Sequence, residues 1–325
     1  MKTILISGGA GYLGTVLTQS LLKKYKVVVY DTFYFKWLVK NKKKIKNYKN
    51  LKLLKKNITD VKISDFENID IVCDLNGIPN DPSSELNKKY TWLINYGGRK
   101  KFAILAKKAG VKRYIFNSTC AVYGHNDQLA KENTKKNPLS TYAKANLKAE
   151  TSIYKMRSKS FKVNILRNST LFGFSPNLRL DLVINIFVYS FIKNKFITIN
   201  GDGMQWRPFI SVNDITKIYH TILGNDKLPS FIMNLATFNM KIKDLAQKVV
   251  KYFKGKQHNI KFNNINFDNR NYKVGSENFK KYIKNFKPTL LNKELKLLSE
   301  GIKKNKLTYD ATTVRMKFYK KKFSL

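Results

Sequence analysis

Residues 140–150, STYAKANLKAE, place a tyrosine, Tyr142, at the start of a segment with helical character, followed by Lys144 and Lys148. A tyrosine that moves protons must reach its anion. A free phenol has a pKa of about 10 and each unit is worth about 1.4 kcal/mol, so at pH 7 the anion costs roughly 4 kcal/mol unless a cation stabilises it. Four residues on, on the same face of a helix, stands Asn146, which carries no charge. At about 100° per residue, Asn146 lies roughly 40° around the helix from Tyr142, whereas Lys144 and Lys148 lie at about 200° and 240° and point away.

A second set of residues is built for phosphate. GGAGYLG carries glycines at Gly8, Gly11 and Gly14 between the apolar run TILISG (3–8) and the helical pattern GTVLTQSLLKK (14–24). Such glycines permit a tight turn, let backbone approach a pyrophosphate, and let helix pack on strand. The helix start supplies unpaired N–H groups to the same anion. Asp31 ends the next apolar run, KVVVYD (26–31). It can accept hydrogen bonds from adenosine ribose hydroxyls and would repel a 2′-phosphate, which selects NAD over NADP.

These residues need a frame of strands with helices between them. DIVCDLNG (70–77), RYIFNST (113–119) and KVNILRNST (162–170) read as further strands, and NYGGRKKFAILAKKAG (95–110) as an intervening helix. Alternating strand and helix predicts an α/β fold, a Rossmann-type doubly wound parallel sheet. SVNDITKIYHTILGN (211–225) and KIKDLAQKVVKYF (241–253) read as later helices, the first packing back on the nucleotide-binding part.

Composition narrows the classes. The chain has 325 residues, is 43% hydrophobic and carries a formal net charge of +42. Almost all of that charge is lysine scattered along the chain; arginine, which reads base edges, is sparse, so no nucleic-acid partner is expected. The run at 40–50, KNKKKIKNYKN, reads as a solvated connection. Cys73 and Cys120 lie apart in apolar runs, and no His/Cys set has metal-ligand spacing, so neither a disulfide framework nor a metal site is expected. No apolar run reaches a membrane-spanning length, and a cytoplasmic location is expected. His125, His220 and His258 have no supporting constellation. The basic, aromatic TVRMKFYKKKFSL (313–325) is expected to be a docked or frayed segment.

The spacing Gly8-x-x-Gly11-x-x-Gly14, with NSTCAVYG (117–124) and Tyr142, resembles the extended short-chain dehydrogenase/reductase family, and within it the NAD-dependent epimerase/dehydratase group that acts on nucleotide sugars. LRNSTLFGFSPNLRLDLVIN (166–185), GDGMQWRPFISVNDI (201–215) and DNRNYKVGSENFKKYI (268–283) resemble that group's substrate-side signatures. The resemblance implies a cofactor-binding domain at 1–167, with a returning segment near 211–236, and a smaller C-terminal α/β substrate domain at 168–325 interleaved with it. It implies that Tyr142 removes a proton from a sugar hydroxyl while hydride passes to nicotinamide. Thr119 would position the same oxygen, Asn95 would help hold the site, and a lysine in place of Asn146 would bind the nicotinamide ribose and lower the tyrosine pKa. Tyr12, Leu13, Asn57, Ile58, Leu75, Asn76 and Gly77 fall at cofactor positions beside the glycines and Asp31. Arg207 and Arg270, with Thr170 and Arg179, fall at substrate positions, the first two for a nucleotide diphosphate. Family members that dehydrate sugars across C4–C6 carry Asp-Glu directly after the catalytic threonine. Cys120 and Ala121 stand there, so epimerisation or oxidoreduction at one sugar carbon is expected, not 4,6-dehydration. The alternative, set by Asn146, is a weakly catalytic or non-catalytic binder of NAD and a nucleotide sugar. A homodimer would follow the family habit.

Overall fold

The computed structural model describes residues 1–263 and 270–324. Seven strands form one parallel sheet: β1 (Thr3–Ser7), β2 (Lys26–Asp31), β3 (Leu51–Lys55), β4 (Ile71–Asp74), β5 (Arg113–Thr119), β6 (Lys162–Asn168) and, later in the chain, β9 (Phe231–Leu235). Their order across the sheet is β9-β6-β5-β4-β1-β2-β3, a doubly wound arrangement in which the chain starts at the middle and reverses direction between β1 and β4. Ligands bind such sheets at that reversal, beyond the carboxyl ends of the strands. Ile4, Leu5 and Ile6 of β1 are all fully buried, as expected of a strand covered on both faces.

The helices that matter for the site are α1 (Tyr12–Leu21), α2 (Arg99–Lys108), α3 (Thr141–Tyr154), α5 (Val212–Leu223) and α8 (Arg315–Lys322); α4 (Val183–Asn194), α6 (Ile242–Tyr252) and α7 (Leu291–Lys304) lie in the second half. Helix α5 does pack back on the first half: its His220 hydrogen-bonds Ser20 of α1 at 2.5 Å. One hydrophobic core runs from Ile4 and Leu17 through Phe172 and Ile215 to Leu298, so both halves share it.

Two predicted elements end differently. The strand expected over 162–170 stops at Asn168, and Thr170–Phe172 (β7) leaves the main sheet to pair in parallel with β8 (Trp206–Ser211). Strand β8 also pairs antiparallel with β10 (Phe238–Lys241). This small sheet carries Thr170 and Arg207. The helix expected over 95–110 begins as a π-helical turn, Leu93–Gly98, before α2. Gly98 packs so closely on Ile58 that a Cβ would come within 2.7 Å of its side chain, and the wide turn lets Asn95 face inward. The segment at 40–50 makes short turns that bury Ile45 and leave its lysines outward.

Candidate active site

At the sheet reversal lies a cleft of about 1140 Å³, large enough for a dinucleotide and part of a second ligand. Every catalytic, cofactor and substrate candidate from the sequence lines it except Ile58, which is buried beneath the cleft wall against α2.

The glycine loop is constrained by its neighbours. Gly8 has φ +71°, and a Cβ there would meet the Leu75 and Asn76 backbone at 2.9 Å; at Gly14 a Cβ would meet the Gly8 carbonyl at 2.3 Å. The loop therefore packs directly on Leu75 and Asn76, and Gly11 is left facing the cleft. Asp31 closes the cradle. Its carboxylate accepts the N–H groups of Ala10 (3.0 Å) and Phe33 (2.8 Å), and burial pushes its pKa up against those two bonds. A glycine loop packed tightly on its own neighbours with Gly11 facing the cleft, beside a carboxylate at the end of the second strand, fits a dinucleotide with free ribose hydroxyls.

Tyr142 sits on the first turn of α3. Ser140 caps that helix by accepting the Ala143 N–H at 3.1 Å. The short helix Asp81–Glu85 grips the same turn: Glu85 accepts the Thr141 N–H (2.8 Å) and Ser84 the Tyr142 N–H (3.1 Å). Burial raises the Tyr142 phenol above its ordinary value. The Thr119 hydroxyl opposes this, Asp81 adds to it, and the guanidinium groups of Arg179 and Arg99 oppose it. Thr119 is thus the hydroxyl beside Tyr142, whereas Ser118 is engaged by Glu150 at 2.8 Å. Asn95 acts as a bracket, accepting the Ile78 N–H (2.8 Å) and donating to the Ile78 carbonyl (3.0 Å), which fixes the loop after Gly77. Lys144 and Lys148 are exposed on the far side of α3, as the helix geometry predicts.

Asn146 is buried and holds a partner that sequence reasoning missed. Its Oδ1 accepts a hydrogen bond from Arg99 Nη1 (2.8 Å), and its Nδ2 donates to the Tyr142 carbonyl (2.8 Å). Arg99 also donates from Nε to Asp74 Oδ2 (2.9 Å) and from Nη2 to the carbonyls of Asp74 (3.0 Å) and Asn117 (2.9 Å). The available signal was an arginine one turn after Asn95 in a lysine-rich chain.

That signal is general. The chain has eight arginines, and five of them, Arg99, Arg179, Arg207, Arg270 and Arg315, line this cleft. Lysine supplies the surface charge, while arginine, with its fixed planar fork, faces the cavity. Arg179 is paired with Asp181 (2.9 Å). Arg270 pairs with Asp81 (2.5 Å), and Arg207 donates to the Arg270 carbonyl, which joins the two arginines. Arg315, on α8, lies 3.5 Å over the Phe35 ring, and Lys322 reaches the Tyr34 (2.8 Å) and Tyr90 (3.0 Å) hydroxyls. The basic aromatic segment is therefore docked across one side of the cleft. Among the described residues there is no metal-binding cluster and no helix long and apolar enough to cross a membrane.

The fold and this site define a Rossmann-type protein with a dinucleotide cradle opening onto a tyrosine–threonine pair. A model of the NAD dependent epimerase/dehydratase family matches residues 4–236, and the chain belongs to that family, whose cofactor is NAD. It is 29% identical over 71% of its length to the Bacillus subtilis (strain 168) protein named uncharacterized UDP-glucose epimerase YtcB, covering 76% of that protein. It is 30% identical over 78% of its length to the Mus musculus dTDP-D-glucose 4,6-dehydratase, covering 73% of it. Among solved structures, the UDP-N-acetylglucosamine 4-epimerase from Methanobrevibacter ruminantium M1, in complex with UDP-N-acetylmuramic acid, superposes with a TM-score of 0.82 at 23% identity, over 94% of this chain and 99% of that one.

Proposed function

We propose that the protein is an NAD-dependent epimerase or oxidoreductase that acts on one carbon of a nucleotide-activated sugar. The observation that carries this reading is that one cleft joins the Gly8–Gly14 cradle, the Tyr142–Thr119 pair and the Arg207–Arg270 pair. The cradle and Asp31 hold the adenosine and diphosphate side of NAD, with Leu75, Asn76 and Gly77 against it. NAD supplies the hydride acceptor. Tyr142 takes the proton from the sugar hydroxyl while Thr119 orients that oxygen, a general-base role that needs both groups within hydrogen-bond reach of one atom. Arg207 and Arg270 take the sugar nucleotide's diphosphate, for which planar forks are suited.

The relatives include both epimerases and 4,6-dehydratases, and the residues after Thr119 favour the former. Elimination of water needs an acid and a base beside the sugar. Cys120 is buried, its thiol donates to the Arg167 carbonyl (3.1 Å) and burial pushes it up, while Ala121 has no proton to move. The nearby carboxylates Asp81 and Asp181 are engaged by Arg270 and Arg179. The test is product analysis by NMR after incubation with a panel of UDP-, dTDP- and GDP-sugars. An epimer or a singly oxidised or reduced sugar is expected; a 4-keto-6-deoxy product would overturn the assignment.

A further inference from the structure

The pair Arg99–Asn146 answers the question that Asn146 raises. A single lysine on the tyrosine's own helix would do two things at once: donate to a ribose hydroxyl and place positive charge near the phenol. Here the donor and the charge come from different helices. Asn146 on α3 lines the cleft, and its amide is locked on both sides, by Arg99 Nη1 at Oδ1 and by the Tyr142 carbonyl at one Nδ2 hydrogen. The second Nδ2 hydrogen has no partner among the described contacts. Arg99, on α2, uses four of its five N–H groups on Asp74, Asn117 and Asn146, and stacks 3.7 Å over Phe116. A guanidinium held in this way cannot swing out to solvent.

Orientation decides whether its charge is felt. Arg99 lines the cleft, whereas Asp74 is fully buried and does not. Asp74 is stabilised from behind by the Ser7 hydroxyl (2.7 Å), the Tyr114 hydroxyl (2.9 Å) and the Asn76 N–H (3.2 Å). The ion pair is therefore a fixed dipole with its positive end toward the Tyr142 side and its negative end in the sheet. We propose that Arg99 and Asn146 together replace the lysine expected at position 146: Asn146 presents the N–H donor for the nicotinamide ribose, and Arg99 positions that amide and supplies the positive end that favours the Tyr142 anion. Arg99 is a positioning residue, acting through Asn146 and through its field.

This proposal rests on Tyr142 being the acid/base group, so its tests use no sugar and are separable from a failure to find turnover. The charged groups facing Tyr142 are Asp81 from the short helix, Arg179 from the second half and Arg99 from α2; the variants leave the first two in place. Arg99→Gln combined with Asp74→Asn removes both charges of the buried pair, so no lone buried carboxylate adds its own field to the measurement. Ultraviolet difference titration of each protein against its own Tyr142→Phe counterpart isolates ionisation of that phenol. The double variant is expected to ionise Tyr142 about one pH unit higher than the parent, at the low end of the effect of a nearby opposite charge because Asp74 offsets part of it. Arg99→Lys is expected to keep the parental value. An unchanged ionisation in the double variant would overturn the electrostatic role. Asn146→Ala is expected to weaken NAD binding about fivefold by calorimetry, the loss of one hydrogen bond; unchanged affinity would overturn the donor role.

Discussion

Replacing Asn146 by lysine writes the expected family residue into this chain, yet the structure predicts damage where a sequence comparison predicts repair. Asn146 is 2% exposed, and its Oδ1 already lies 2.8 Å from Arg99 Nη1. An amine introduced there meets a guanidinium that cannot move, because Asp74, Asn117 and Phe116 hold it. Two like charges about 4 Å apart at an effective dielectric constant of 20 repel by about 4 kcal/mol. Asp74 lies on the far side of Arg99 and offsets part of this, so Asn146→Lys is expected to cost about 2–3 kcal/mol of stability. Shedding the proton from the new amine would cap the penalty and make it shrink as pH rises. The assay is a four-protein cycle in urea: parent, Asn146→Lys, Arg99→Gln and the double variant. In the Arg99→Gln background the new amine meets an uncompensated Asp74, so Asn146→Lys should there be neutral or stabilising. That leaves a coupling free energy of at least about 2 kcal/mol. If Asn146→Lys costs nothing in the parent and Arg99→Gln does not change its effect, the reasoning from the buried pair is wrong.

Other outcomes follow from the same contacts. Burial, then the nearby Lys24 and Lys23, hold the His220 pKa below its usual value. The fold therefore binds this proton less tightly than the unfolded chain, and stability should rise with pH through the window just below about 6.5. His220→Gln should flatten that part of a pH series of urea midpoints. Burial and the neighbouring Arg179 push Arg315 down to about 9. Below that pH its charge is a cost to the fold, relieved as pH rises from about 9 toward the ordinary arginine value, so Arg315→Met should raise the thermal midpoint at neutral pH, net of its lost contacts to Thr312 and Phe35. Since Arg315 lines the cleft and its Nη2 lies 3.4 Å from the Asn177 carbonyl beside the glycine loop, the same variant should bind NAD more weakly by calorimetry. Arg207→Ala should weaken binding of a nucleoside diphosphate sugar at least tenfold while leaving NAD affinity within about twofold, consistent with the loss of a charge-assisted hydrogen bond.

What was legible in the sequence was whatever depends on local spacing. The strand–glycine–helix unit, the ending of β2 at Asp31 and the placement of Tyr142 in the first turn of α3 are all set within a few residues, and the structure has each where the pattern puts it. The exclusion of Lys144 and Lys148 also follows from helix geometry alone. The rest depends on which segments meet. Arg99 reaches Asn146 across 47 positions, and Asp81 meets Arg270 across 189. The sequence reading looked for Tyr142's cation only along its own helix, so a cation entering from α2 was invisible to it. The π-helical turn at Leu93–Gly98, which precedes Arg99, has no periodicity of its own to detect. Ile58, placed at a cofactor position by resemblance, turns its side chain into the core beneath Gly98, a burial that spacing alone does not reveal.

The claim on which the account stands is that Tyr142 moves a proton while hydride leaves the sugar for NAD. It is tested most directly by mixing the NAD-loaded protein with the sugar nucleotide it binds most tightly and following reduced nicotinamide absorbance in the first turnover. The parent should show reduction, and Tyr142→Phe should bind NAD and sugar nucleotide equally well but slow the reduction by about 10²-fold or more, as loss of a general base does. Reduction at the parental rate in Tyr142→Phe would contradict the account.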